Sequence, residues 1–229
     1  MCGEHAARPF AFVLTTGDNF YEPSGTATAS NFTRPEACLL RAGIRWRAVW
    51  GNHDVAGSST GTSLGATRRY YAFTEGPARF VVLDANRPTD PAQLAFMRRQ
   101  LSAARRPALI VAFHQPVVSA GLHRPSRDQQ RLWEPLLRSY RVSLVLQGHN
   151  HHYERIERGG VTYLTTGGGG RALYPCVRPV AGLRRCVPTH HFLRVRVTGT
   201  AIQTAAVEPT GHIVERVRIP LSPRTRSGK

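Results

Sequence analysis

Four short apolar runs in this chain each end in polar residues. The polar residues lie at positions 17–21, 51–54, 114 and 148–151, and three of the four groups open with Gly. In α/β sheets, ligands bind beyond the carboxyl ends of the strands, so four such ends can converge on one place. Asp, Asn, Tyr and His offer oxygen and nitrogen donors to metal ions, and paired cations can clamp a phosphoryl group. The pattern therefore predicts an α/β fold with a metal-binding edge.

The rest of the chain also alternates apolar runs with helical patterns. Asp90 and Pro91 predict a helix over residues 91–104, because Asp caps a helix and Pro fits its first turn. Further helices are predicted at residues 35–42 and 128–139. Strands are predicted at residues 10–14, 46–50, 69–73, 79–84, 108–113, 142–146, 161–165, 192–197, 201–207 and 213–219. This order predicts two packed sheets flanked by helices, with one domain at residues 1–221 and a disordered tail at 222–229.

The chain is strongly basic, with 31 Lys and Arg, 14 Asp and Glu, and a formal net charge of +17. The arginines are scattered without a basic run, which favours a compositional bias over a nucleic-acid surface, and an anion-binding surface is the open alternative. No run of about 18 apolar residues occurs, so no membrane span is predicted. The N-terminus carries no signal-peptide pattern, and the compartment stays undetermined.

The cysteines and two further segments are predicted to have structural roles. The 4 Cys form no CxxC pair, which argues against a zinc ribbon. Cys176 and Cys186 bracket a loop, where a disulfide and two reduced cysteines are equally consistent with the sequence. The glycine run at residues 167–170 lacks the Lys-Ser/Thr that follows a phosphate-binding loop, so tight backbone packing is predicted. Glu154 and Arg155 are predicted to buttress a loop by hydrogen bonds.

The blocks GDNFY, GNHD, AFHQP and GHNHHYER occur in this order along the chain. Together they resemble the blocks of the calcineurin-like metallophosphoesterases, and the Tyr of the first block and the YER of the last resemble purple acid phosphatases. The resemblance covers nearly all of the chain. It implies a four-layer α/β/β/α sandwich of two mixed sheets, with the active site in loops at one edge.

The resemblance also implies that six side chains hold two metal ions. Asp18 would bridge both ions, and Tyr21 and His151 would bind the first, which is ferric in the purple enzymes. The other three would bind the second ion, which is iron, zinc or manganese; they are Asn52, His114 and His149.

Three further residues receive roles close to the substrate. The resemblance implies that His53 faces the substrate phosphate and protonates the leaving oxygen or stabilises its charge. Asp54 would orient His53 through a ring nitrogen, and a metal-held hydroxide would attack phosphorus in line with the leaving group. His123 follows the third block by a short loop and could contact the phosphate, with a structural role as the open alternative.

The sequence departs from the family pattern at its start. The family has an earlier strand that ends in Asp-x-Gly or Asp-x-His, and the Asp of that block completes the first metal site. Asp18 is the first Asp of this chain, and Glu4 is the only acid before it. Residues 1–9 resemble the end of the helix that follows that strand, so neither Glu4 nor His5 is expected to substitute. We predict that the first strand is absent, with an internal start favoured over a short form with an impaired first site.

The resulting functional prediction is metal-dependent hydrolysis of phosphate monoesters on a small phosphorylated substrate. One alternative is a phosphodiesterase that acts on nucleotides or nucleic acid, to which the charge of +17 gives some weight. The other is a catalytically impaired module that binds phosphate or RNA. The sequence leaves the physiological substrate and the oligomeric state undetermined.

Overall fold

The computed structural model describes residues 1–21, 25–57 and 59–222. Its α-helices are α1 (Cys2–Ala7), α2 (Ala37–Arg41), α3 (Ser59–Leu64), α4 (Pro91–Ala103), α5 (Arg127–Leu132) and α6 (Glu134–Ser139), and a π-helical segment, Ala29–Thr33, precedes α2. Its strands are β1 (Phe12–Leu14), β2 (Arg45–Arg47), β3 (Tyr71–Glu75), β4 (Ala78–Val82), β5 (Ala108–Ala112), β6 (Leu144–Gln147), β7 (Tyr153–Arg158), β8 (Val161–Thr166), β9 (Leu183–Val187), β10 (Phe192–Val197), β11 (Ala201–Val207) and β12 (Ile213–Pro220). None of the helices in these ranges is long and apolar enough to cross a membrane.

Seven strands form one large mixed sheet in the order β3-β4-β5-β6-β8-β7-β9. Strands β4, β5, β6 and β8 run parallel, and β3, β7 and β9 are antiparallel to their neighbours. The interior strand β5 is buried on both faces, which explains its continuous apolar sequence. Leu109 packs in the core that contains Met97 of α4 and Trp133, whereas Ile110 packs in the core on the opposite face with Ile202 of β11.

The second layer of strands packs on the core that contains Ile110, and it consists of two separate sheets. Strands β1 and β2 form a parallel pair, and β10, β11 and β12 form an antiparallel sheet. Phe12 of β1 and Leu193 of β10 both pack against the cluster of buried residues that contains Phe80 of β4. Glu4 of α1 forms an ion pair with Arg194 of β10, which places α1 against this layer. The predicted sandwich of two sheets is confirmed, although the second layer is divided; the absent first strand stays a prediction.

Several local predictions are confirmed and others are wrong. Asp90 caps α4 as expected, because its Oδ1 accepts hydrogen bonds from the backbone N–H groups of Ala92 and Gln93. The single helix predicted at residues 128–139 is two helices, α5 and α6. Pro135 lies in the first turn of α6, where it lacks the N–H that would continue the α5 ladder. Strand β2 ends at Arg47, so residues 48–50 are not strand, and β7 and β9 were not predicted. Most of the predicted tail, residues 223–229, lies outside the described residues.

Two disulfides connect segments that are separate in the fold. Cys176 is bonded to Cys186 of β9, which confirms one of the two alternatives for this pair. Cys2 is bonded to Cys38, a pairing that the sequence did not suggest, and this bond joins α1 to α2.

Candidate metal centre

Asp18 lies just after β1 at the centre of a group of polar side chains. Its backbone has φ 54, in the left-handed region that is uncommon for residues other than Gly. Gly51 approaches so closely that a Cβ atom at this position would collide with the Asp18 carboxylate. The backbone N–H of His53 donates a hydrogen bond to Asp18 Oδ1 at 2.9 Å. The first two sequence blocks therefore meet at this carboxylate.

His114 and His149 approach Asp18 from the ends of β5 and β6. His114 Nε2 lies 3.0 Å from Asp18 Oδ2, and His149 Nδ1 lies 3.2 Å from the same His114 nitrogen. One ligand atom from each of the three residues lies within 4.8 Å of the others. His149 has φ 66, so two residues of this group hold unusual backbone conformations, as is common at functional sites.

Tyr21 and His151 form a second group of polar side chains at Asp18. The Tyr21 hydroxyl lies 2.8 Å from His151 Nε2 and 3.2 Å from Asp18 Oδ2. The structure thus brings together five of the six predicted ligands, in two groups that share Asp18. The sixth, Asn52, has an exposed side chain next to Gly51, and its assignment stays a prediction.

The hydrogen bonds of the two histidines indicate that this site fits metal ions. His114 Nδ1 lies 2.7 Å from the Thr16 carbonyl oxygen, and His151 Nδ1 lies 2.7 Å from the Ala172 carbonyl oxygen. A carbonyl oxygen only accepts, so both Nδ1 atoms carry a proton, and when the rings are neutral both Nε2 atoms present lone pairs to the site. Metal-binding histidines usually donate their other N–H in this way.

When the histidines are neutral, the acceptor atoms around Asp18 outnumber the protons that lie between them. His114 Nε2 faces both the Asp18 carboxylate and His149 Nδ1, and the single Tyr21 proton faces two acceptors. Facing lone pairs repel, and a cation between them replaces the repulsion with coordination. The donor set of one carboxylate, imidazole nitrogens and a phenol suits iron, zinc or manganese.

The electrostatics of the metal-free site favour the protonation states that metal binding needs at Asp18 and His149, but they oppose the deprotonation of Tyr21. Burial alone would raise the pKa of Asp18, but in the absence of metal the His114 ring, when protonated, donates a hydrogen bond and supplies a charge that outweigh burial and lower this pKa to about 2. Burial, followed by the neighbouring His114 and His123, lowers the pKa of His149 to about 3. Asp18 is therefore ionised and His149 neutral at neutral pH. Burial and then the Asp18 carboxylate raise the pKa of Tyr21 well above its usual value.

Asp54 does not orient the His53 ring, which corrects the sequence prediction. Its buried carboxylate accepts hydrogen bonds from the Asn19 backbone N–H at 2.9 Å, the Asn19 side-chain amide at 2.9 Å and the Gly51 N–H at 2.7 Å. Asp54 therefore joins the loop that carries Asp18 to the loop that carries His53. The His53 ring is exposed, and its centroid lies 4.5 Å from that of Tyr21.

His123 lies beside the metal centre, as the sequence allowed. Its ring centroid is 4.3 Å from that of His149. The buried Asn150 side chain holds the backbone of His123, because it accepts from its N–H at 2.8 Å and donates to its carbonyl oxygen at 3.0 Å. Asn150 was not singled out in the sequence, although it lies between two predicted ligands. A contact between His123 and phosphate stays a prediction.

The segment between β8 and β9 contributes residues that sequence analysis missed. Tyr174 stacks on His151 with centroids 4.1 Å apart and ring planes 11° apart, and the Arg171 guanidinium lies 4.6 Å from the Tyr21 ring centroid. No apolar period marks this segment, which follows the glycine run. Close packing of that run is confirmed for Gly167 and Gly168, where an added Cβ would collide with neighbouring backbone oxygens.

The loop-buttressing role predicted for Glu154 and Arg155 is confirmed for Glu154, whereas Arg155 donates to Glu157 of β7 and Glu215 of β12. Glu154 is fully buried in β7, where its carboxylate accepts hydrogen bonds from the Ala120 N–H and from the Thr165 hydroxyl at 2.9 Å. The N–H of Ala120 belongs to the loop that leads to His123. Glu154 thereby supports that loop from beneath, without contact with the predicted ligands.

Comparison with known proteins relates this site to a family. The profile of the calcineurin-like phosphoesterase family matches residues 4–153. Mouse (Mus musculus) tartrate-resistant acid phosphatase type 5 is 24% identical over 265 residues, which cover 93% of this chain and 80% of the relative. Purple acid phosphatase 7 of Arabidopsis thaliana is 25% identical over 250 residues, which cover 90% of this chain and 74% of the relative.

Solved structures support the same fold. GAP50, described as the anchor in the inner membrane complex of Plasmodium, superposes with a TM-score of 0.83 at 17% identity, covering 98% of this chain and 83% of its own. Purple acid phosphatase PPD1 of yellow lupin (Lupinus luteus) superposes with a TM-score of 0.72 at 16% identity, covering 95% of this chain and 47% of its own. At these identities the likeness concerns the fold alone.

Proposed function

Because the chain belongs to the calcineurin-like phosphoesterase family of phosphoric ester hydrolases, we propose that it hydrolyses phosphate monoesters at a dinuclear metal centre. The observation that carries the proposal is the shared position of Asp18. Its Oδ2 atom lies 3.0 Å from His114 Nε2 and 3.2 Å from the Tyr21 hydroxyl, so one carboxylate faces both groups of predicted ligands. The matches to acid phosphatases favour monoesters as the substrate class.

The residues present divide naturally between two cations. Asp18, Tyr21 and His151 would hold one ion, which we propose is iron. Asp18, His114 and His149 would hold the other, iron, zinc or manganese, with Asn52 as a further candidate ligand. Such ions, when bound, supply Lewis-acid polarisation of the phosphoryl group.

The protein side chains around the centre would bind and orient the substrate. The exposed ring of His53 is free to face a substrate phosphate and to protonate the leaving oxygen. Its backbone N–H is fixed on Asp18 Oδ1, which sets the distance of this histidine from the centre. His123 lies on the side of His149, where a second imidazole can contact the phosphate. Both histidines would thus act on a small phosphorylated substrate from opposite sides of the centre.

The experiment that tests this function compares a monoester with a diester. The purified protein, loaded with iron, zinc or manganese, is assayed on p-nitrophenyl phosphate and on bis(p-nitrophenyl) phosphate, with Asp18→Ala as the control for contaminating activity. Faster cleavage of the monoester, absent from the Asp18→Ala variant, supports the proposal. Comparable cleavage of both substrates supports a phosphodiesterase instead. Equal activity of the variant and the original chain contradicts both.

A further inference from the structure

A cleft lined by arginines and aromatic rings lies at the β3 edge of the seven-stranded sheet. Its volume is about 670 Å³, and its walls come from residues 68–72, from β4 and from α4. Tyr71 and Phe73 face the core beneath the second layer of strands, so the alternating Tyr70 and Ala72 point to the opposite side, toward α4. No lining residue belongs to the candidate metal centre.

Three arginines of the cleft have no acidic partner among the described residues. Arg79 donates to the Thr74 hydroxyl at 3.1 Å and to the Gln100 amide oxygen, which are both neutral. Arg68 and Arg99 are exposed and form no ion pair within the described ranges. Only Arg69 has a carboxylate nearby, at 3.8 Å. Several guanidinium groups without counter-charges attract an anion, and their planar forks match phosphate geometry.

Aromatic rings lie beside these charges. The ring centroids of Tyr70 and Phe96 are 5.1 Å apart, and the Arg99 guanidinium lies 5.6 Å from the Phe96 ring centroid. Both rings are only half-buried, so part of each faces the cleft. Phe96 and Arg99 are three residues apart on α4, which keeps them on one face of the helix. Arginines next to partly exposed aromatic rings can bind the phosphates of a nucleotide while the rings stack on its base.

We infer that this cleft binds a nucleotide. Its phosphates contact Arg68, Arg79 and Arg99, and its base stacks against Tyr70 and Phe96. The volume of about 670 Å³ lies within the range of small-molecule sites. A free nucleotide and a terminal nucleotide of a single strand share this chemistry. The inference is independent of the proposed phosphatase activity, because the two sites share no residue.

Equilibrium binding to the full chain tests the inference with three probes. They are α,β-methylene-ADP, an oligodeoxyadenylate of about 12 nucleotides, and inorganic pyrophosphate. The variant Arg68→Gln/Arg99→Gln is expected to weaken nucleotide binding about tenfold or more. The control Arg216→Gln/Arg218→Gln removes the same charge from exposed positions of β12 and is expected to change affinity less than about twofold. Phe96→Leu is expected to weaken the two base-carrying probes and to spare pyrophosphate.

The same measurements distinguish the alternatives. Oligonucleotide binding much tighter than that of the nucleotide identifies a single strand as the source, and similar affinities identify a free nucleotide. The inference is overturned if no probe with a base binds saturably, or if the control variant loses as much affinity as the cleft variant. It is also overturned if Asp18→Ala abolishes nucleotide binding. The same holds if Phe96→Leu changes neither the affinity for the nucleotide nor the affinity for pyrophosphate.

Discussion

His114 Nε2 lies 3.0 Å from Asp18 Oδ2, and the other ring nitrogen of His114 lies 2.7 Å from the Thr16 carbonyl oxygen. The Nδ1–H of His114 donates to this carbonyl, so when the ring is neutral the lone pair on Nε2 faces a carboxylate. A cation between the imidazole and the carboxylate would replace the repulsion of these groups with coordination. The predictions below follow from it and from the loops that hold these residues.

The first prediction concerns His149, whose Nδ1 atom lies 3.2 Å from His114 Nε2. His149→Ala removes a ligand, so we expect metal content and phosphatase activity to fall together. Elemental analysis and steady-state kinetics on the same preparation measure both quantities. His212→Ala, at an exposed position of the turn before β12, is the matched control and should change neither. Activity that falls while metal content is unchanged would show that His149 is not a ligand.

His53 is predicted to act on the substrate and not on the metals. His53→Ala keeps the backbone N–H that donates to Asp18 Oδ1, so metal content should be preserved. Loss of the ring should lower kcat by about 10²–10⁴-fold, the usual contribution of general acid catalysis. The exposed His190→Ala serves as the control. A simultaneous loss of metal from His53→Ala would refute this role.

Asp54 is predicted to stabilise the loops around the centre. Asp54→Asn supplies fewer acceptors for the N–H groups of Asn19 and Gly51, and leaving one buried donor without a partner costs about 1–3 kcal/mol. The free energy of unfolding, measured by urea denaturation, should fall by about this amount. Asp128→Asn disrupts an exposed ion pair with Arg131 and should have little effect. Unchanged stability with reduced kcat would restore the discarded role, orientation of His53.

Glu215 is predicted to make stability depend on pH. Burial alone would raise its pKa, but the hydrogen bonds from Arg155 and Tyr153 outweigh burial and lower this pKa below the ordinary 4.5. A carboxyl with a lowered pKa stabilises the fold above its unfolded pKa, and this stabilisation is lost as pH falls through the folded value. The stability difference between the original chain and Glu215→Gln should therefore be full at neutral pH and shrink below pH 4.5. Urea denaturation across this range would contradict the prediction if the difference stayed constant.

Much of the fold followed from local patterns in the sequence. The apolar run at residues 108–113 predicted β5, because a strand buried on both faces needs no alternation. Strand β7 escaped prediction because Glu154 points inward, where the Ala120 N–H and the Thr165 hydroxyl satisfy its carboxylate. A buried Glu makes the sequence of a strand look like that of a polar loop.

The predicted metal ligands could be identified from the four sequence blocks, but the residues that hold them in place could not. Asp18, His114 and His149 could be singled out because each ends an apolar run. The role that the resemblance implied for Asp54 was wrong, because folding brings Asn19 to this carboxylate from 35 residues away. Tyr174 was missed because only the folded chain places it on His151. Long-range partners of this kind leave no period in a single sequence.

The most direct test of a dinuclear centre around Asp18 is the number of metal ions per chain. The protein is loaded with iron, zinc and manganese, freed of unbound ions, and analysed for elements beside its Asp18→Ala variant. The account predicts two ions per chain in the original protein, although the chain lacks the Asp that completes the first site in the family pattern, and a loss of both in the variant, because Asp18 faces both ligand groups. Two ions would therefore also show that the first site binds its ion without that Asp. Fewer than two ions per chain in the original protein, or an Asp18→Ala variant that keeps its metal, would contradict it.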